Sequence, residues 1–171
     1  LQEVLPHQVK DIADRLPWMS HVGEGREEDG AGEACPIFYD HNKWELLHHE
    51  TLWLAPDWKT PGAVGWDADL RRIVTIGLFH QVSSGKRVRV YNTHWSHVSS
   101  TAREASAQLI ASLDAQHGTD ATAVLGDFNE EAEARGRVVL DEAGFSDTYD
   151  NVRSRCRKSF PTYTTFQPEG S

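Results

Sequence analysis

Apolar positions recur along this chain in short runs of strand length, and in three places at the three-to-four-residue spacing of a helix. Residues 1–5 read as the end of a buried strand. Pro6 suits a first helical position, and Val9, Ile12, Ala13 and Leu16 follow at helical spacing, so a helix over 6–16 is expected, stopped by Pro17. Residues 18–22, 35–39, 44–47 and 51–54 form short strand candidates, and Ile73, Val74, Ile76, Leu78 and Phe79 mark a longer one. Ser83-Ser84-Gly85-Lys86 supplies a hairpin turn, after which Val88, Val90 and Tyr91 lead with a period of two into Asn92-Thr93-His94. Thr101-Ala102-Arg103-Glu104 has the form of a capping box and opens a helix to about residue 117, with Ala105, Leu109, Ile110 and Leu113 inward. The apolar run 121–125 ends in Gly126-Asp127-Phe128-Asn129, and a last helix is expected over 134–143, with Gly144 as its stop. Residues 23–34, rich in Gly, Glu and Asp, read as a mobile loop, and 55–69 as a long surface loop. Alternating strands and helices, with hairpins between some strands, predict an α/β sandwich with a mixed sheet.

At 171 residues the chain fits a single domain with a substantial core. No window approaches the roughly 18 consecutive apolar residues of a membrane helix, and no basic segment followed by an apolar stretch marks a signal peptide at the start. The compartment stays open. A net charge of −9 argues against a broad basic surface for nucleic acid, though a small basic groove can coexist with an acidic body. The two cysteines, Cys35 and Cys156, either pair in an oxidising compartment or remain as buried thiols.

Several polar residues stand at strand ends. Asp127 and Asn129 lie two apart after an apolar strand, so both side chains can face one way. A carboxylate beside a neutral amide suits a hard cation, a phosphate oxygen or an attacking water, and equally suits a plain turn. His94 ends the preceding strand, as a group to stabilise a phosphoryl oxygen or move a proton, or simply as an exposed imidazole. Glu3 precedes a helix, a position fit for helix capping or for a divalent-metal ligand. Arg71 and Arg72 open a strand, and one of them is a candidate phosphate contact. Trp53, Trp58 and Trp66 line a substrate edge or pack in the core. His94 and His97 also have a His-x-x-His spacing that a zinc hydrolase would use, on a loop with no nearby Cys.

The order of these signals resembles the endonuclease/exonuclease/phosphatase superfamily. The shared pattern reads Gln2-Glu3, then Glu33 before Pro36-Ile37-Phe38-Tyr39, then Asn92-Thr93-His94, then Gly126-Asp127-Phe128-Asn129. Gly65-Trp66-Asp67 and Arg72-Ile73 are similar to a bacterial and fungal subgroup. The resemblance implies a deoxyribonuclease-like four-layer fold, a two-layer β-sandwich of mixed sheets flanked by helices, as one partial domain over 1–171. It implies Mg²⁺ (or Mn²⁺) dependence and hydrolysis of a phosphoester of unassigned class (nucleic acid, phospholipid or small phosphate ester) by a monomer. Glu3 would hold the metal with Asp127. Asp127 would also orient or deprotonate the attacking water, Asn129 would hold the phosphate or that water, and His94 would bind the scissile phosphate. Glu33 would hydrogen-bond and orient His94, and Arg72 would contact a phosphate. The family's first-strand Asn and its late Asp and Asp-His pair have no counterpart in these residues. Many relatives have Asp where Ser96 stands. These departures leave a second expectation, a non-catalytic binding module on the same fold, and the zinc hydrolase is a third.

Overall fold

The structure, a computed structural model, describes residues 1–131 and 133–148. Its elements are α1 (Pro6–Arg15), β1 (Met19–Val22), β2 (Ile37–Asp40), β3 (Trp44–Trp53), β4 (Ile73–Gln81), β5 (Arg87–His94), α2 (Ser100–Ala115), β6 (Ala121–Asp127) and α3 (Arg135–Glu142). Cys156, and with it the choice between a disulfide and two thiols, lies outside the described residues. Cys35 is buried, with no disulfide partner among the described residues.

Strands β3, β4, β5 and β6 pair in that order, the first two junctions antiparallel and the β5–β6 junction parallel. Helix α2 is the crossover a parallel junction requires. Alternation along β4 sorts the two faces of this sheet. Val74 and Ile76 point into a core with Leu52, Leu54, Tyr91 and Trp95, closed by Ala107, Ile110 and Leu113 of α2 and Val139 and Leu140 of α3. Phe79 points to the other face and meets Val22 of β1 and Ile37 of β2, the two-stranded antiparallel sheet. The result is the mixed α/β sandwich expected from the alternation of elements, with helices on one face of the mixed sheet and a second sheet on the other.

Several boundaries differ from the sequence reading. Residues 1–5 form no strand; they are held by one isolated bridge, Val4 to Ala34, and by side-chain hydrogen bonds. Residues 44–47 and 51–53 belong to one strand, with Leu54 just past its end, because a register shift between Leu46 and His48 absorbs the polar interruption. Ser99, not Thr101, caps α2: its hydroxyl accepts the Ala102 N–H at 3.0 Å, and the apparent capping box lies inside the helix. The buried stripe therefore runs through Ala102, Ser106, Ala107, Ile110 and Leu113, with Ala105 and Leu109 only partly covered. Residues 23–34 are not a loose loop: Arg26 N–H donates to the Glu33 carbonyl at 3.1 Å, Glu27 N–H to the Ala31 carbonyl at 3.0 Å, and Gly25 bridges Ala34. A Cβ on Gly25 would lie 2.0 Å from the Ala31 carbonyl oxygen, so the fold of this loop depends on that glycine.

Candidate functional site

The parallel junction builds the centre of the site. Its register sets Thr93 opposite Gly126 and His94 opposite Asp127, so two of the sequence candidates emerge side by side at the carboxyl ends of adjacent strands. Gly126 permits the approach. Its φ is 151°, and a Cβ there would lie 1.9 Å from the Thr93 carbonyl oxygen. Past the strand, Asp127 Oδ1 accepts the Asn129 N–H at 2.9 Å, a local turn that carries Asn129 at φ 50°. Asn129 Nδ2 then donates to the Trp95 carbonyl at 3.0 Å, tying the β6 loop to the residue after His94.

Glu3 reaches the same point from far upstream in the chain. Its carboxylate stands 3.6 Å from His94 Nδ1, and Asp127 Oδ2 stands 3.8 Å from His94 Nε2, so the imidazole sits between two acids. The side chain of His94 is nearly buried, whereas those of Glu3 and Asp127 are more than half exposed, at 65% and 55%. Glu3 has φ 57°, a left-handed conformation uncommon for glutamate. Asn92, fully buried, is what holds that segment in place. It donates to the Leu1 carbonyl at 2.7 Å and the Pro36 carbonyl at 3.0 Å, and accepts from Gln2 Nε2 at 2.7 Å. The Asn of Asn-Thr-His and the Gln of Gln-Glu thus form a structural clasp that aims Glu3. Sequence reasoning places both residues in a motif but gives them no work.

Arginines complete the cavity, which is lined by Glu3, Arg26, Glu33, Arg71, Arg72 and His94 together with buried Cys35. Arg72 is 6% exposed; its Nη2 bonds His97 Nδ1 at 3.0 Å and its buried Nε has no partner. A guanidinium N–H left unpaired in such a place is an unmet demand for an acceptor. Burial lowers the Arg72 pKa, and the nearby Arg26 charge lowers it further. Burial likewise lowers that of His94, and Arg72 adds to the effect; Asp127, Glu3 and Glu33 oppose it. The imidazole is therefore disposed to be neutral, able to donate from one nitrogen. Cys35 is pushed up to about 12 by burial, which makes it a packing residue rather than a nucleophile.

Two assignments change. Glu33 does not orient His94: its carboxylate accepts from Arg26 Nη1 at 2.6 Å, and the acid beside His94 Nδ1 is Glu3. Arg26 is absent from the sequence candidates, because an arginine inside an acidic loop has no local signature that it turns inward. The zinc reading loses its geometry. His97 faces Arg72 and Asp69 while His94 faces Glu3 and Asp127, and among the described residues no group of three or more His, Cys, Asp or Glu gathers to hold a metal. A Mg²⁺ ion makes a lighter demand, one or two carboxylates with water and substrate phosphate filling the remaining positions. Glu3 and Asp127, one beside each nitrogen of His94, are exposed hard-oxygen donors of the type Mg²⁺ takes.

The mixed α/β sandwich that carries this acid–imidazole–arginine cavity is a fold that known structures share. An endonuclease/exonuclease/phosphatase from Bacteroides vulgatus superposes with a TM-score of 0.79 at 36% identity, over 82% of this chain and 55% of that one. A family protein from Bacteroides thetaiotaomicron gives 0.79 at 30% identity, over 84% and 52%. A mannosyl-6-phosphatase from the same species gives 0.78 at 30% identity, over 84% and 55%. The chain belongs to the endonuclease/exonuclease/phosphatase superfamily, and it spans about half the length of these structures. No protein-family model matches it, and no curated protein does. No helix among the described residues is long and apolar enough to cross a membrane.

Proposed function

We propose that the protein containing this chain hydrolyses phosphoesters with the help of Mg²⁺ (or Mn²⁺), and that the scissile phosphate sits at the carboxyl ends of β5 and β6, beside the cavity lined by Glu3, Arg72 and His94. The observation that carries this reading is the enclosure of nearly buried His94 between Glu3 and Asp127, beside the unpaired Nε of Arg72. Carboxylates fit to hold a cation, a neutral imidazole and a guanidinium with an unpaired N–H form an environment suited to a phosphoryl group.

The residues divide the work by chemistry. Arg72 grips a non-bridging oxygen and holds the phosphorus near His94. Neutral His94 donates to a second oxygen, whose negative charge grows as the pentavalent transition state forms. Asp127, exposed and adjacent, orients the attacking water and accepts its proton. Asn129, its Nδ2 shared with the Trp95 carbonyl, holds that water or the phosphate from the opposite side. Glu3 and Asp127 would hold the divalent cation, which supplies further neutralisation of the phosphate. Glu33 acts on this site through Arg26.

Assay of the intact protein on a panel of sugar phosphates, nucleotides, phospholipids and oligonucleotides, in Mg²⁺ and in EDTA, tests the reading. Metal-dependent release of phosphate or of a phosphomonoester from at least one member is expected. No cleavage of any member in Mg²⁺ or Mn²⁺ would overturn it in favour of a binding module on the same fold.

A further inference from the structure

Arg26 is a largely buried charge in the cavity that the catalytic assignment leaves without a task. It comes from the loop between β1 and β2, and its position is built rather than accidental. Its carbonyl accepts the Trp53 indole N–H at 2.7 Å, its N–H donates to the Glu33 carbonyl at 3.1 Å, and its guanidinium donates to Glu33 through Nη1 at 2.6 Å. The side chain is only 15% exposed. Held in this way it lines the same small cavity as Arg72 and His94, close enough for the two guanidinium charges to oppose each other. Like charges are brought together at a cost, and burial of Arg72 with an unpaired Nε raises that cost. An anion that both arginines can share removes the repulsion and satisfies the orphan donor.

The lining of the cavity carries a positive excess, so an anion complements it. Arg26, Arg71 and Arg72 face Glu3 and Glu33, three positive groups against two negative. Arg71 is drawn off by Glu27 at 2.9 Å, and Glu3 is turned towards His94. Arg26 and Arg72 remain to meet the substrate, with Glu33 bracing Arg26. A phosphodiester offers two non-bridging oxygens and one negative charge. A terminal phosphomonoester offers three oxygens and close to two charges at neutral pH. Arg72 and His94 can each take one non-bridging oxygen of a diester; a monoester offers a third oxygen and a second charge to the second guanidinium.

Building on the hydrolase reading above, we infer that Arg26 is a specificity-determining residue that selects a terminal phosphomonoester of a small molecule over a phosphodiester. The same chemistry is presented by a sugar phosphate and by a nucleoside monophosphate, and separate assay arms distinguish them.

The test has a binding arm and a hydrolysis arm. In the first, orthophosphate at pH 8, largely a dianion, and dimethyl phosphate, a monoanion, are titrated into the intact protein and followed on arginine Nε–H NMR resonances. Arg26→Gln is expected to weaken orthophosphate about tenfold, the loss of a charge-assisted pair, and dimethyl phosphate by less than about twofold. Arg26→Lys restores charge without the fork and is expected to recover part of the loss. The backbone anchor through Trp53 survives both changes, and unchanged thermal melting verifies it. Orthophosphate affinity unaltered in Arg26→Gln, or lost equally for both anions, overturns the inference. In the second arm, kcat/KM is compared on a hexose 6-phosphate, a nucleoside 5′-monophosphate and a dinitrophenyl-type diester. Preference for either monoester, reduced in Arg26→Gln, supports the inference and names the source. Preference for the diester overturns it and leaves the hydrolase reading standing. No hydrolysis of any ester, with the orthophosphate preference intact, overturns the hydrolase reading and upholds the anion site.

Discussion

The two rims of the candidate site are made by different means. On the β5–β6 rim, His94, Asp127 and Asn129 are set by sheet register, by the close approach of Gly126 to Thr93, and by a turn two residues long. On the opposite rim, Glu3, Arg26, Glu33 and Arg71 stand on segments with almost no regular structure, positioned by the Asn92 clasp and by ion pairs. Their ion pairs differ as well. Behind the strand rim, Arg103 donates to Glu130 at 3.0 Å and to the Ser96 carbonyl at 2.9 Å, and the Glu130 side chain is 2% exposed. Glu130 also accepts the Arg137 N–H at 3.1 Å near the start of α3, so a single buried carboxylate joins α2, α3, the loop that carries Asn129 and, through Arg103, the loop that follows His94. On the loop rim, Arg71–Glu27 is about 40% exposed on both sides. On the proposed reading, His94, Asp127 and Asn129 are carried on the stiffer frame, and selection among substrates falls to the rim that can be altered without disturbing it.

The sharpest way to break this comparison is to remove the chemistry while sparing the frame. His94→Ala and Asp127→Ala are each expected to lower turnover by about 10³-fold, or ~4 kcal/mol of barrier. Asp127 is mostly exposed, so its replacement should change thermal stability little. Steady-state kinetics beside calorimetric melting checks this; unchanged rates in both variants would remove these residues from the mechanism.

Next in size is the buried pair behind the strand rim. Arg103→Ala strands Glu130 without its partner, and breaking such a pair by removing one member costs about 3–5 kcal/mol. Because Arg103 also holds the Ser96 carbonyl, kcat should fall with stability. Urea denaturation of Arg103→Ala and Glu130→Gln measures the first, and a loss below about 1 kcal/mol in both would show that the strand rim is no stiffer than the loop rim.

Legibility in the sequence divides along the same line. Asn92-Thr93-His94 and Gly126-Asp127-Phe128-Asn129 lie where period-two strands end, so local pattern is enough to find them and to foresee the mixed α/β sandwich. Glu3 stands out locally only as an acid ahead of a helix, and its place first in an ordered set is what separates a ligand from a cap. The loop rim is largely closed to reading. Arg26 turns inward because Trp53, 27 residues away, holds its carbonyl, and Glu33 leaves His94 because Arg26 claims it. Both are consequences of tertiary contact with no trace in spacing. The displaced α2 cap has a similar cause: Ser99 and Thr101 are equally good caps by residue type, and the Ser96 and Ser99 hydroxyl network chooses between them.

Between the rims lies Cys35, and its thiol gives a pH-dependent reading. Its folded-state pKa is raised to about 12 from an ordinary 9.0, so the folded protein keeps a proton that the unfolded chain loses as pH rises past 9. The stability of the folded state is accordingly expected to decline above pH 9 and to be insensitive to this group below it. Alkylation of Cys35 at pH 8, read by peptide mass spectrometry, should be far slower in the folded protein than in urea. Equal rates would mean that this part of the cavity opens freely.

The smallest expected effect belongs to the loop rim itself. Arg71 donates to Glu27 through Nη1 and to the Gly62 carbonyl through Nε at 2.8 Å, yet the ion pair is open to solvent on both sides. An exposed pair of this kind contributes about 0–1 kcal/mol, and salt weakens it further. Arg71→Ala should therefore lower stability by less than about 1 kcal/mol in dilute salt, with the difference shrinking in high salt as the ion-pair part is screened. A larger, salt-independent loss in urea melts would place the weight on the Gly62 hydrogen bond, and would mean that the loop rim is framed by backbone contacts as the strand rim is. The contrast between a fixed catalytic rim and an adjustable selective one would then have to rest on Arg26 alone.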